Sequence, residues 1–211
     1  GAVGMKGENL SSGGNFVRNA KPKEKTTGRS IYFQNLNRNK RGVALNLKTA
    51  EGKELFSELV KSADVLVENN RPGVMEKLGF GWAHCHKLNP GLVYASISGY
   101  GQPGIHNRKP AYDLIAQAMG GSMSITGWPG MEPTRAGQAR GDLYSGMNAC
   151  ICILASLLKR KESGEEQHID IARVDRVVSC MQGKLIQYNY TGKHQDITGN
   201  KSITSTKHDF L

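Results

Sequence analysis

The chain has 211 residues, 38% hydrophobic and 22% charged, with a formal net charge of +10. That length suits one large domain or part of a bigger protein, and the composition is that of a soluble globular chain with a modest core. No run of about 18 apolar residues occurs, which argues against a membrane partner.

The opening GAVGMKGENLSSGG lacks an initiator Met and the basic-then-apolar pattern of a signal peptide, as expected of a chain cut from something longer. Residues 1–30 read as a polar, mobile segment, with six basic residues against two acidic ones in 1–29. Order is expected to begin at Ile31-Tyr32-Phe33, followed by a strand over 43–47. Thr49 then caps a helix running through Leu55, Leu59 and Val60. The apolar run Ala63 to Val67 suits a buried parallel strand and ends at the turn Glu68-Asn69-Asn70-Arg71-Pro72-Gly73. Short helices over 74–78 and 82–88 precede a third strand at 92–98. Strand, helix, strand, helices, strand implies βαβ units and a parallel sheet, whose ligands bind beyond the carboxyl ends of the strands, here near Asn69 and Ser98.

A helix is expected over 112–119, then a Gly- and Pro-rich loop leading to Arg140-Gly141-Asp142. The apolar stripe Leu143, Met147, Cys150, Ile151, Leu154, Leu157 and Leu158 predicts a long helix packed into a core, with Asp142 at its N-cap. Residues 163–165 read as a turn, 168–171 as a strand and 174–187 as one helix. Residues 191–211 read as a polar tail or linker, leaving 31–190 as the main domain.

A basic chain suits nucleic acid, anionic lipid or a polyphosphate ligand. Its basic residues are scattered without the interleaved aromatics of an RNA-binding sheet, so nucleic acid is not the expected partner. Cys85, Cys150, Cys152 and Cys180 show no disulfide spacing and read as reduced core thiols of a cytoplasmic protein, or of a mitochondrial or peroxisomal one if the source is eukaryotic.

Gly99 to Gly104 matches the dinucleotide fingerprint G-x-G-x-x-G after a strand, but Ile105-His106-Asn107-Arg108-Lys109-Pro110 does not open the helix that a pyrophosphate needs. His84-Cys85-His86 has no partner cluster at metal-ligand spacing, so no metal is expected. Ser145 lacks the G-x-S-x-G elbow of a serine nucleophile.

Five segments in order carry a resemblance: NRNKRGVALNLKTAEGKEL (37–55), ADVLVENNRPGVMEKLGFGW (63–82), LNPGLVYASISGYGQ (88–102), AYDLIAQAMGGSMSITG (111–127) and GDLYSGMNACICILASLLKRKESG (141–164). Over residues 31 to about 190 the chain resembles the family III CoA-transferases, the CaiB–BaiF family, whose chains are about twice this length. The resemblance implies an α/β, Rossmann-like parallel sheet with flanking helices, in a fold where two chains thread each other as a homodimer. It implies transfer of coenzyme A between an acyl-CoA and a carboxylic acid through an aspartyl anhydride and an aspartyl-CoA thioester, with Asp142 as nucleophile. Leu45 to Lys48, Asn69 to Arg71 and Lys77 match segments that hold CoA; Tyr112 and Asp113 match a tyrosine–acid pair near the reacting carbonyl. Asn70 stands where an aromatic residue is usual, and Pro110 where a CoA-contacting Lys stands in formyl-CoA transferase. Two alternatives remain: an α-methylacyl-CoA racemase, whose catalytic His slot holds Tyr112 here, and a truncated, non-catalytic homologue that binds CoA.

Overall fold

The computed structural model describes residues 2–9, 13–164 and 167–201. The chain divides into two compact units, Gly1–Ser62 and Ala63–Leu211.

In the first unit, strand β1 (Gly4–Glu8) pairs in parallel with β2 (Lys40–Ala44), in register from Gly4 opposite Lys40 to Glu8 opposite Ala44. Residues 4–8 are therefore a strand and not part of a structureless segment. The signal was hidden because only alternate residues of β1 are even partly covered. Glu8 anchors this unit, accepting Arg18 Nε at 2.7 Å and Nη2 at 2.8 Å. Arg18 and Lys6 both lie over the Phe33 ring of helix α1 (Ile31–Leu36). Strand β2 ends three residues earlier than expected, and Leu45 to Lys48 form the turn that follows it. Helix α2 (Ala50–Ser62) then starts with Thr49 Oγ1 accepting the Gly52 N–H at 3.1 Å. A Cβ on Gly52 would collide with the Asn46 carbonyl, so glycine is what lets α2 begin against the turn.

The second unit is a parallel three-stranded sheet, ordered β3 (Val65–Glu68), β4 (Val93–Ser98), β5 (His168–Ala172). Val65 pairs with Val93 and Tyr94 with His168. Central β4 is covered on both faces, which is why VYASIS alternates less sharply than a one-faced strand would. Val93 and Ala95 join Ala149, Ile169 and Ile171 in the core under helix α6 (Arg140–Ser163). On the other face, helix α3 (Val74–Leu78) leads to α4 (Trp82–Leu88). Trp82 stacks between His86 and His168 at 5.1 and 5.4 Å, and the Tyr94 hydroxyl donates to the Phe80 carbonyl at 3.0 Å. Cys85 is buried there and its thiol is pushed up to about 11 by desolvation, as befits an inert core thiol. Cys150 and Cys180, by contrast, are exposed and not core residues.

Helix α6 forms as expected but is turned the other way. Gly141, Ser145, Ala149 and Ser156 are buried, whereas Leu143, Met147, Ile151, Leu154 and Leu158 are each more than half exposed. Gly141 packs against Ala116 of the neighbouring helix, while Ala149 meets the sheet together with Cys152, Ile153 and Leu157, so of the expected stripe Leu157 alone among the leucines packs on the core. By length and composition α6 also meets the criterion for a membrane span, which the sequence reading did not anticipate. Its packing on β4 and β5 is that of a helix seated on a sheet. At its far end Arg160 donates to the Gly91 carbonyl at 2.5 Å and to Asp64 Oδ1 at 2.8 Å, fastening the helix to the segments that lead into β4 and β3. The opposite end, bearing Asp142, is thereby carried to the carboxyl edge of the strands.

The helix expected over 174–187 is two: α7 (Arg173–Ser179) and α8 (Gln182–Thr191), broken at Cys180-Met181. The turn at 163–165 is described only as far as Gly164, which caps α6 in the left-handed region; Glu165 and residues 202–211 lie outside the described residues.

Candidate active site

Three strand-to-helix connections converge at the carboxyl edge of β3–β4–β5. Asn69 follows β3, Ser98 closes β4, and Arg173 opens α7 directly after β5. A cleft there is lined by Asn69 to Pro72, Ser98, Gly99, Asn107, the segment Lys109 to Tyr112, and Arg173. Pro110 is thus in the cleft wall, at the position that the resemblance matches to a CoA-contacting lysine.

Arg173 ties this edge together. Its Nε donates to Asp142 Oδ1 at 2.7 Å, Nη2 to Asn69 Oδ1 at 3.0 Å, and Nη1 to the Ala111 carbonyl at 3.3 Å. Asn69 is fixed in turn, its Nδ2 donating to the Ile97 carbonyl at 2.7 Å. The Arg173 side chain is 13% exposed and that of Asp142 51%. A half-exposed pair contributes at most about 1 kcal/mol to stability, so its consequence is positional.

Asp142 is not the N-cap: Ala139 holds that place, and Asp142 lies in the first turn. A carboxylate is favourable there too, near the positive end of the helix dipole. The capping work is done from outside the helix. Asp113, at the start of helix α5 (Asp113–Met119), accepts the Gly141 N–H on Oδ1 at 2.8 Å and Gln117 Nε2 on Oδ2 at 2.8 Å. Gln117 is fully buried; it also donates to the Gln138 carbonyl at 3.0 Å and accepts the Ala136 N–H at 2.9 Å. Side chains of α5 therefore hold the whole approach 136–141. Gly141 is needed for this contact, since a Cβ there would lie 2.9 Å from that of Ala116.

The remaining sequence candidates are distributed as follows. Asn70 and Arg71 are exposed on the cleft rim, the Asn70 N–H bonded to Glu68 Oε2 at 2.7 Å. Tyr112 is in the cleft wall and 72% exposed. Lys77 is exposed on α3. Leu45 and Lys48 belong to the first unit, in the turn after β2, where Asn46 Oδ1 accepts the Lys48 N–H at 3.1 Å. Sequence reasoning missed Arg173 and Gln117. A charged residue immediately after a parallel strand was the available signal for the first; a Gln one turn after Asp113 was the only one for the second.

The parallel sheet, its flanking helices and the helix that brings Asp142 to the carboxyl edge define an α/β protein of the CoA-transferase kind. The chain belongs to CoA-transferase family III, whose sequence model matches residues 6–210, a stretch beginning well before residue 31. It is 43% identical over 173 residues to acetyl-CoA:oxalate CoA-transferase of Acetobacter aceti, covering 82% of this chain and 44% of that one. It is 39% identical over 173 residues to succinyl-CoA--D-citramalate CoA-transferase of Chloroflexus aurantiacus, covering 82% of this chain and 43% of that one. The fold resembles a CaiB/BaiF family protein from Brucella suis with a TM-score of 0.89 at 32% identity, over 96% of this chain and 54% of that one. The chain thus spans less than half the length of these two curated relatives.

Proposed function

We propose that this chain carries the nucleophile of a CoA-transferase that moves coenzyme A from an acyl-CoA to a free carboxylic acid. The observation that supports it is the Asp142–Arg173 pair at the carboxyl edge of the sheet, beside a cleft lined by Asn69 to Pro72, within a family of named CoA-transferases.

In this reading an Asp142 oxygen attacks the thioester carbonyl carbon. The C–S bond breaks, the CoA thiolate leaves, and an aspartyl–acyl anhydride remains. The thiolate then attacks the aspartyl carbonyl of that anhydride; its C–O bond breaks, the donor acid departs as carboxylate, and Asp142 holds CoA as a thioester. An acceptor carboxylate attacks this thioester and the two exchanges run in reverse, freeing Asp142 and giving the new acyl-CoA. No net proton is consumed.

Asn69, Asn70, Arg71 and Lys77 are assigned to CoA, and Tyr112 to the neighbourhood of the reacting carbonyl. Asp113 contributes by holding the first turn of α6, from which Asp142 projects. Leu45 and Lys48 are assigned to CoA by the family resemblance alone. The working assembly in this reading is the interlaced homodimer, and the exposed apolar side of α6 supplies surface for a partner chain to cover. Reduced cysteines go with a cytoplasmic location.

The test is mass spectrometry of the full-length protein after incubation with acetyl-CoA, formyl-CoA or succinyl-CoA, with oxalate, citramalate or mesaconate as acceptors, the acids and thioesters in the names of its relatives. An adduct on Asp142 is expected. Asp142→Asn should abolish exchange, spare CoA binding and change stability by less than about 1 kcal/mol, because the residue is half exposed. Exchange at the wild-type rate in Asp142→Asn would reject the assignment. Binding of CoA with neither adduct nor exchange would favour the non-catalytic homologue, and a monomeric mass by light scattering would reject the dimer.

A further inference from the structure

We propose that Arg173 is the docking group for the free acid, occupied alternately by the Asp142 carboxylate and by the carboxylate of the acid being exchanged. The inference rests on the reading of Asp142 as the acyl and CoA carrier. Two of the three acceptors on Arg173, Asn69 Oδ1 and the Ala111 carbonyl, are neutral and anchored elsewhere: Asn69 by Ile97, Ala111 by burial. The guanidinium is therefore held in place whether or not Asp142 is present. Among the described residues Asp142 is its one carboxylate partner.

When Asp142 becomes an anhydride or a thioester, it loses its negative charge. A cation whose side chain is 13% exposed is then left without its counter-ion in the cleft wall. Burying an uncompensated charge is unfavourable, and a planar guanidinium fork matches a carboxylate better than any other small anion the reaction supplies. That carboxylate is the donor acid as it leaves and the acceptor as it arrives. Ser98, in the same cleft, adds a hydroxyl that is buried with no hydrogen-bond partner, a second donor one side-chain rotation from use. An acid seated on the vacated Nε is held beside the Asp142 side chain, whose thioester carbonyl it attacks in the proposed sequence. In the resting protein the Asp142 carboxylate occupies the donor and repels a second carboxylate, so acid binding is coupled to acylation of Asp142.

The coupling is testable without turnover, using oxalate as the probe and Asp142→Asn as a neutral stand-in for the acylated side chain. Calorimetric titration of the full protein should show oxalate bound at least about tenfold more tightly by Asp142→Asn than by wild type, the gain shrinking as salt is raised. Adding Arg173→Gln to Asp142→Asn should remove the gain; Arg173→Lys in the same background should retain only part of it, keeping the charge but losing the fork. Equal affinity in wild type and Asp142→Asn, or a gain that survives Arg173→Gln, overturns the proposal. Should the Gln double variant melt as an unfolded chain, the Lys variant decides, and full Asp142→Asn affinity in it overturns the proposal. Failure of the carrier reading shows separately, as absence of an acyl-CoA adduct on Asp142 in wild type, whereas an adduct without the oxalate gain rejects the role of Arg173 alone.

Discussion

Asp113→Ala is the perturbation that most directly tests how the first turn of α6, which bears Asp142, is held. The substitution removes two hydrogen bonds of 2.8 Å to one half-buried carboxylate, from the Gly141 N–H and from Gln117 Nε2. Bonds to a charged acceptor contribute about 1.5–3 kcal/mol each, and the Gly141 N–H, in a residue that is itself buried, is left without an acceptor. Gln117 keeps its bond to the Gln138 carbonyl, so the second loss is partial. The net expectation is about 2–4 kcal/mol, concentrated on the 136–141 approach rather than on the sheet. Asp113→Asn should cost less, about 1–2 kcal/mol: its oxygen still accepts from Gly141, but its amide meets the Gln117 amide donor to donor. Gln117 cannot turn over without losing the Ala136 N–H. The assay is thermal melting together with amide hydrogen exchange at Gly141, which should quicken in both variants. A destabilisation below about 0.5 kcal/mol with unchanged exchange at Gly141 would refute the reasoning. Loss of acyl exchange at unchanged stability would instead place the Asp113 carboxylate on the substrate.

Glu8, its side chain 7% exposed, is held at about 2, well below its usual 4.5, chiefly by its hydrogen bond to Arg18. A depressed carboxylate means the folded state binds fewer protons, so its stabilising contribution is present above pH 4.5 and is lost as pH falls toward about 2. Acid titration followed by circular dichroism should show that loss in wild type and its absence in Glu8→Gln. Neutralising Lys48, Arg71 and Lys77 together should weaken CoA binding, more at low salt than at high, and unchanged affinity at low salt would place the CoA phosphates elsewhere. Turnover of acyl-CoA in deuterated water should leave the α-carbon unlabelled, because position 112 carries a tyrosine where the racemase has its catalytic histidine; rapid α-deuterium uptake would promote the racemase.

The sequence by itself determined most elements of the second unit and the identity of the nucleophile candidate. Short apolar runs beside the Asn-Arg-Pro-Gly and Asn-Pro turns read as strands of a parallel sheet, and β3 and β4 are where those runs lie; residues 168–171 read as a further strand, which is β5. The ordered motifs picked out Asp142 and the Asn69–Arg71 turn, because those signals are local in the chain. Three things were decided only in three dimensions. Strand β1 exists because GMKGE pairs with a strand more than thirty residues away, which no local alternation announces. The direction in which α6 faces was decided by packing: Gly141, Ser145, Ala149 and Ser156 turn inward beside Ile153 and Leu157, while Leu143, Leu154 and Leu158 stay exposed, although periodicity alone fits either orientation. Arg173 reaches Asp142, Ala111 and Asn69 across 31, 62 and 104 residues of chain, contacts that exist only because three strands end side by side. A period in sequence can mark a helix or a strand, but which groups share one edge of a sheet depends on non-local pairing, and that is where this site is made.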